Sequence, residues 1–158
     1  GFLDEFPSAI RTMAQQGIYY VPTFSVYVHH RESPFEYMRQ RARPMHEHHV
    51  RSLQMALDAG VKVAMGTDAG GWVHGKNMTE LQQFVEAGMK PLDAITASTQ
   101  TAAQCIGLGD DLGTIEAGRW ADILVVDGDP LQDIALLQQK ERLLLVMKGG
   151  ETYVDRLR

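Results

Sequence analysis

Residues 60–69 read Gly60-Val61-Lys62-Val63-Ala64-Met65-Gly66-Thr67-Asp68-Ala69. The run from Val61 to Met65 is β-branched and apolar apart from Lys62, which predicts a buried strand of the kind found in parallel sheets. Asp68 stands just beyond it. Reacting groups of α/β proteins gather at the carboxyl ends of such strands, so Asp68 is the first candidate for chemistry. Its oxygens are hard ligands for a divalent cation, and an aspartate beside an attacking water can take its proton and return it to a leaving amine. A bare Thr-Asp-Ala-Gly also suits a residue that merely stabilises a glycine loop. The neighbouring residues have to decide.

Immediately upstream, Val50, Leu53, Ala56 and Leu57 fall on one helical face, and Gly60 sits where a left-handed terminator is cheapest. The same grammar occurs earlier. Leu3, Phe6, Ile10 and Met13 line a helix that begins near Pro7 and stops at Gly17, 43 residues before Gly60. A β-rich run over 18–24 follows it, predicted to end near Pro22 to Phe24. Helix, glycine, strand, repeated at this spacing, implies a parallel α/β architecture. Residues 25–43 between the copies read as a long loop with a short helix. Downstream, residues 68–76 are glycine-rich, Asn77 can cap a helix, and Glu80 can reach back in the manner of a capping box. That helix is expected to run through Leu81 and Val85 to Gly88, and another from Pro91 through Leu92, Ile95 and Ile106 to Gly107. A small β module closes the chain, with a strand over 121–127 and a pair over 143–148 and 151–154 joined by Gly149-Gly150.

The chain has 158 residues, 44% hydrophobic and 22% charged, so it can bury a core and is not a disordered or low-complexity sequence. No apolar run approaches the ~18 residues of a membrane span. With 15 basic against 20 acidic side chains, it offers no general basic surface for nucleic acid, which leaves a small molecule as the expected partner. One cysteine, Cys105, excludes an internal disulfide and a Cys-rich zinc module, and its helical setting predicts a buried small hydrophobe. No leader is readable from Gly1; any amino-terminal signal would lie outside this chain, and the compartment is unknown, with the cytoplasm only as a default. A closed β/α barrel usually takes ~200 residues or more, so a barrel pattern in this length would be incomplete.

Among the remaining candidates, Tyr27 follows the first predicted strand and can project over the same face as Asp68, its hydroxyl free for a substrate carboxylate or carbonyl; its bland alternative is a packed loop aromatic. His74, in the glycine segment before a helix start, occupies an anion-friendly position, against the alternative of a surface histidine. His46, His48 and His49 surround Glu47. His46 and His49 share a helical face, but the pattern lacks the i, i+4 histidine pair of an H-E-x-x-H zinc helix and fits a solvated helix start better. His29 and His30 point to different sides of an extended chain. There is no G-x-S-x-G elbow, P-loop or dinucleotide fingerprint.

Taken in order, Gly-Val-Lys-Val-Ala-Met-Gly-Thr-Asp-Ala (60–69), His-Gly-Lys-Asn-Met-Thr-Glu-Leu (74–81), Val-Glu-Ala-Gly-Met (85–89), Ala-Ile-Thr-Ala-Ser-Thr (94–99) and the block from Leu-Gly-Thr-Ile-Glu-Ala-Gly-Arg-Trp to Asp-Gly-Asp-Pro-Leu (112–131) resemble the carboxyl-terminal half of the amidohydrolase superfamily, closest to its prolidase-like and imidazolonepropionase-like branch. The resemblance covers nearly the whole chain. It implies a metal-dependent hydrolase on a (β/α)8 barrel with a β-sandwich built from both chain ends. Residues 1–108 would be the last two β/α units with terminal helices, and 109–158 the carboxyl-terminal part of the sandwich. Asp68 matches the family's last-strand aspartate, which binds metal and shuttles the proton; Tyr27 and His74 match loop positions near the substrate. The implied cofactor is a divalent metal, zinc first, one or two ions in the complete enzyme. The implied substrate is a small amide or peptide-like molecule, with a cyclic amide or a deaminated ring as the alternative, and a non-catalytic binding or assembly module as the reading from another class.

The departures matter equally. The family's His-x-His pair, its middle-strand lysine or glutamate and its two single histidines have no counterparts here; His46-Glu47-His48 has the letters but not the position. One metal ligand of several remains, whereas a catalytic zinc normally needs three. The expectation is that the polypeptide alone is inactive, that the amino-terminal barrel half comes from the same or another chain, and that unpaired strand edges drive association, including homo-oligomers.

Overall fold

The computed structural model describes residues 2–70 and 74–157. A 3-10 turn, Leu3–Glu5, precedes helix α1 (Pro7–Gln16), whose first-turn proline needs no hydrogen-bond partner. Gly17 ends α1 at φ 67°, and its amide returns to the Met13 carbonyl. The chain then extends to Tyr20, which forms a parallel bridge with Val63. Tyr20 N donates to Lys62 O and Ala64 N donates to Tyr20 O, both at 2.9 Å. The two predicted strands are therefore parallel neighbours, but they share one rung instead of full ladders. Pro22 has no N–H to extend the pairing, and Met65 N turns instead to Ala97 O at 2.9 Å. Gly66 lets the segments close up, because a Cβ there would lie 2.6 Å from Val21 Cγ1.

The stretch predicted as a long loop with a short helix is mostly helical. Helix α2 (Ser25–His30) is followed after a short break by α3 (Glu36–Asp58), which runs straight through Pro44. An interior proline costs a helix ~3 kcal/mol or more. Here Pro44 is exposed, so water can serve the carbonyl it orphans, while Leu53 and Ala56 farther along are fully buried and anchor the helix to the core. The expected apolar face of α3 is thus present, and Ala59-Gly60 ends it with Gly60 at φ 73°.

Helix α4 (Thr79–Glu86) begins where expected, but Asn77 does not cap it and Met78 provides no side-chain cap either. The single helix expected from Pro91 to Gly107 is two, α5 (Pro91–Ser98) and α6 (Gln100–Cys105), broken at Thr99 with ψ −89°. Ser98 Oγ and Thr99 Oγ1 both donate to Ile95 O at 2.8 Å, competing with the helical pattern. Gly113 packs against the break, its missing Cβ making room 2.8 Å from Gln100 Cα.

The core lies between these helices and the bridged segments, centred on Phe24, Leu53, Phe84, Leu81 and Val63. The carboxyl-terminal module is an antiparallel sheet in the order β1 (Ile123–Val126), β2 (Leu143–Lys148), β3 (Glu151–Asp155). Gly149 and Gly150, at φ 57° and 84°, make the predicted two-residue hairpin. A 3-10 turn, Ile134–Gln138, joins this module to the helices: Ile134 enters the core, and Gln138 Nε2 donates to Gln82 Oε1 of α4 at 2.7 Å. Among the described residues, no helix is long and apolar enough to cross a membrane.

Candidate functional site

Apart from the exposed Lys62, burial falls along the second bridged segment. Val61, Val63 and Ala64 are buried, Met65 to Thr67 are half-buried, and Asp68 is exposed at the tip. Asp68 has φ 51°, and it alone among the described non-glycine residues is left-handed, a conformation Asp tolerates better than most and one that recurs at functional sites. The loop beyond it passes through residues 71–73, which lie outside the described residues together with that part of the predicted glycine-rich segment.

Tyr27 sits on α2, half-buried. Burial pushes its hydroxyl above the usual phenol range, the negative charge of Asp68 adds to the rise, and Arg41 opposes it. The two predicted residues therefore lie within electrostatic reach of each other. His74, in an exposed turn, forms no hydrogen bond or ion pair with either among the described residues. Beside Tyr27 is a cavity of about 260 Å³ walled by His30, Tyr37, Met38, Ala42 and Met45, with Arg41 as its cation.

The histidines of α3 go separate ways. His46 Nε2 meets Gln83 Oε1 at 2.9 Å, and His48 Nδ1 meets Asp4 Oδ2 at 2.7 Å. His49 is buried with its ring edge-to-face on Phe24 and Tyr27, at 5.6 and 4.7 Å between centroids. Burial pushes its imidazole down to about 4, so the ring is neutral near neutrality. The stretch lies within a helix and is not the solvated helix start expected. Among the described residues no three His, Cys, Asp or Glu side chains come together as a metal site. Asp68 offers one hard oxygen ligand, and among the described residues no second and third donor join it.

Cys105 is half-buried, not fully enclosed, on the wall of a second, apolar cavity of about 860 Å³ between α5, α6 and the β module. Titratable groups are sparse there.

The residue that sequence reasoning misplaced is Glu80. Instead of closing a capping box on its own helix, it is buried and accepts Phe24 N at Oε1 (2.6 Å), and Ser25 N and Ser25 Oγ at Oε2 (2.8 and 2.6 Å). Burial pushes the carboxyl up to about 7, and the three donors restrain the rise. A sequence signal existed: Glu80 precedes Phe84 by four residues, so it lies in the buried stripe of α4 and not on its solvent side.

A sequence model of the amidohydrolase family matches residues 2–153. Ochratoxinase from Aspergillus niger is 33% identical over 147 residues, which cover 89% of this chain and 30% of the relative. Imidazolonepropionase from Shouchella clausii is 34% identical over 105 residues, 63% of this chain and 23% of the relative. The crystal structure of a Xaa-Pro dipeptidase with methionine bound in its active site superposes with a TM-score of 0.83 at 35% identity, covering 93% of this chain and 37% of that one. The chain therefore spans about a third of the dipeptidase and of the ochratoxinase that it resembles, and the fold of that portion is shared. With nearly every residue inside the matched region, the chain belongs to the amidohydrolase family.

Proposed function

We propose that this chain forms the carboxyl-terminal part of a metal-dependent hydrolase of carbon–nitrogen bonds, acting on an amide or dipeptide-like substrate. The reading rests on one observation above all: the left-handed Asp68, at the end of a segment in parallel pairing, within electrostatic reach of Tyr27. The ochratoxinase and dipeptidase relatives support the bond class. In the complete protein Asp68 supplies one ligand to a divalent cation, zinc first, the remaining ligands coming from an amino-terminal barrel half in the same or a second chain. When bound, such an ion polarises the scissile carbonyl and acidifies water. The Asp68 carboxylate takes the proton of the attacking water and returns it to the leaving nitrogen. Tyr27 orients the substrate through its hydroxyl, and His74 approaches from the loop. On this reading the 158 residues by themselves should bind no stoichiometric zinc and show no hydrolase activity.

The test is to supply the amino-terminal barrel half, in one chain or by coexpression, and assay dipeptides with zinc present. The complete protein should be active, and Asp68→Asn should lower kcat by a factor on the order of 10² or more. Equal activity of Asp68→Asn would sink the role assigned to it. The similarity to an imidazolonepropionase keeps a cyclic amide as the second substrate class, to be run in the same assay.

A further inference from the structure

Helix α2 has only six residues and no side-chain cap of its own, yet it carries Tyr27. A helix this short does not hold its place by its own hydrogen bonds. Its leading amides, those of Phe24 and Ser25, are taken up by Glu80 of α4, a residue 56 positions from Phe24 in the chain. Both carboxylate oxygens are used, and Ser25 Oγ adds a third bond. Phe24 is also held at its carbonyl, because Tyr27 N donates to Phe24 O at 2.9 Å. Glu80 therefore reaches the Tyr27 backbone through a single intervening residue. Helix α4 is also the next helix after the Asp68 loop. One side chain thus ties the helix bearing Tyr27 to the helix that follows Asp68.

From this geometry we infer that Glu80 is a positioning residue, which sets where the Tyr27 hydroxyl stands relative to Asp68 by clamping the amides of the N-cap residue Phe24 and of Ser25, the first residue of α2. The inference rests on the substrate-orienting role proposed for Tyr27. A carboxylate suits the task because it accepts at both oxygens. Glutamine would turn an amide donor toward a backbone N–H and break one arm of the clamp. Displacement of an orienting group by about 1 Å can cost a hundredfold in rate, so the clamp need not touch substrate to matter.

Two measurements test it. In the 158-residue chain, Glu80→Gln should move the ring resonances of Tyr27 and leave those of Tyr153, on β3, in place; an unmoved Tyr27 in a folded variant overturns the inference. In the complete enzyme, Tyr27→Phe and Glu80→Gln should each lower kcat/KM by roughly tenfold, and the double variant should lose little more than either alone, because both act through one hydroxyl. Losses that multiply to roughly a hundredfold mean that Glu80 acts on stability in general, and the inference fails. Should Glu80→Gln not fold, Ser25→Ala removes only the third bond and runs the same cycle, with an expected loss of about threefold alone and none beyond Tyr27→Phe. If Tyr27→Phe itself leaves kcat/KM unchanged, the orienting role fails and the positioning inference falls with it. If Tyr27→Phe is impaired but Glu80→Gln and Ser25→Ala are not, only the positioning role is lost.

Discussion

The imidazole of His49 meets the ring of Tyr27 edge to face, 4.7 Å between centroids, and also meets the ring of Phe24 edge to face at 5.6 Å. This places a buried ring of α3 directly behind the residue proposed to orient substrate. His49→Ala removes the wall, and we expect a loss of about 2–5 kcal/mol in urea denaturation, the range of large-to-alanine core changes. Tyr27 should also become more solvent-accessible, readable as faster iodination of that ring.

His49 and Glu80 set opposing pH dependences. Glu80, pushed from 4.5 to about 7, binds its proton more tightly when folded, so its contribution is full below about 4.5 and is lost as the pH rises through about 7. His49, pushed from 6.5 to about 4, contributes in full above about 6.5 and loses that contribution as the pH falls through about 4. Each is worth roughly 3 kcal/mol over its window, so stability of the wild type should be nearly flat between about pH 4.5 and 6.5. Glu80→Gln should expose the histidine limb, with stability falling on acidification across that range. Denaturant midpoints at four or five pH values decide it; a variant as flat as the wild type contradicts the assignment.

Asp4 joins the 3-10 turn before α1 to α3. Its carboxylate accepts from His48 Nδ1 at 2.7 Å, Arg51 Nε at 3.0 Å and Ser52 Oγ at 3.2 Å. Burial alone would raise this carboxyl, but His48, Arg51 and Ser52 outweigh it and hold it below the usual range. Asp4→Asn should cost about 1–3 kcal/mol, with the amides of residues 3–6 exchanging faster by hydrogen exchange. The wild type should lose the same increment only as the pH drops below the usual aspartate range, because the folded group gives up its charge late.

Gly66 allows the close approach of the bridged segments. Gly66→Ala places a methyl 2.6 Å from Val21 Cγ1 and should destabilise by about 1–3 kcal/mol. Adding Val21→Ala removes the atom it meets, so the double variant should recover most of the loss. Additive destabilisation in thermal melts would mean that the backbone, not Val21, resists the new methyl.

The helix terminators and the hairpin were legible because a positive φ leaves a mark in composition, as at Gly17, Gly60 and the Gly149-Gly150 pair. Pairing was only partly legible. Alternation and β-branching name a strand, but the number of rungs depends on neighbours, and Pro22 and the Met65–Ala97 bond limit Tyr20 and Val63 to one. The length of α3 was not legible, since the local breaker Pro44 is outweighed by burial far along the same helix. The break at Thr99 depends on the later return of Gly113, which no local window contains. At the candidate site, Asp68 and Tyr27 were named from their places after strands and are found in electrostatic reach. Glu80 was read as a local cap because its true partners lie 55 and 56 positions away.

That separation bears on how the protein is made. Phe24 and Ser25 leave the ribosome long before Glu80 does, so until then the amides that begin α2 have only water to bind. Closing that loop has to wait for Glu80 to emerge, and contacts between distant parts of a chain form more slowly than local ones. The Tyr27 turn should therefore be among the last parts to settle after synthesis, and the part a nascent-chain chaperone would find open for longest.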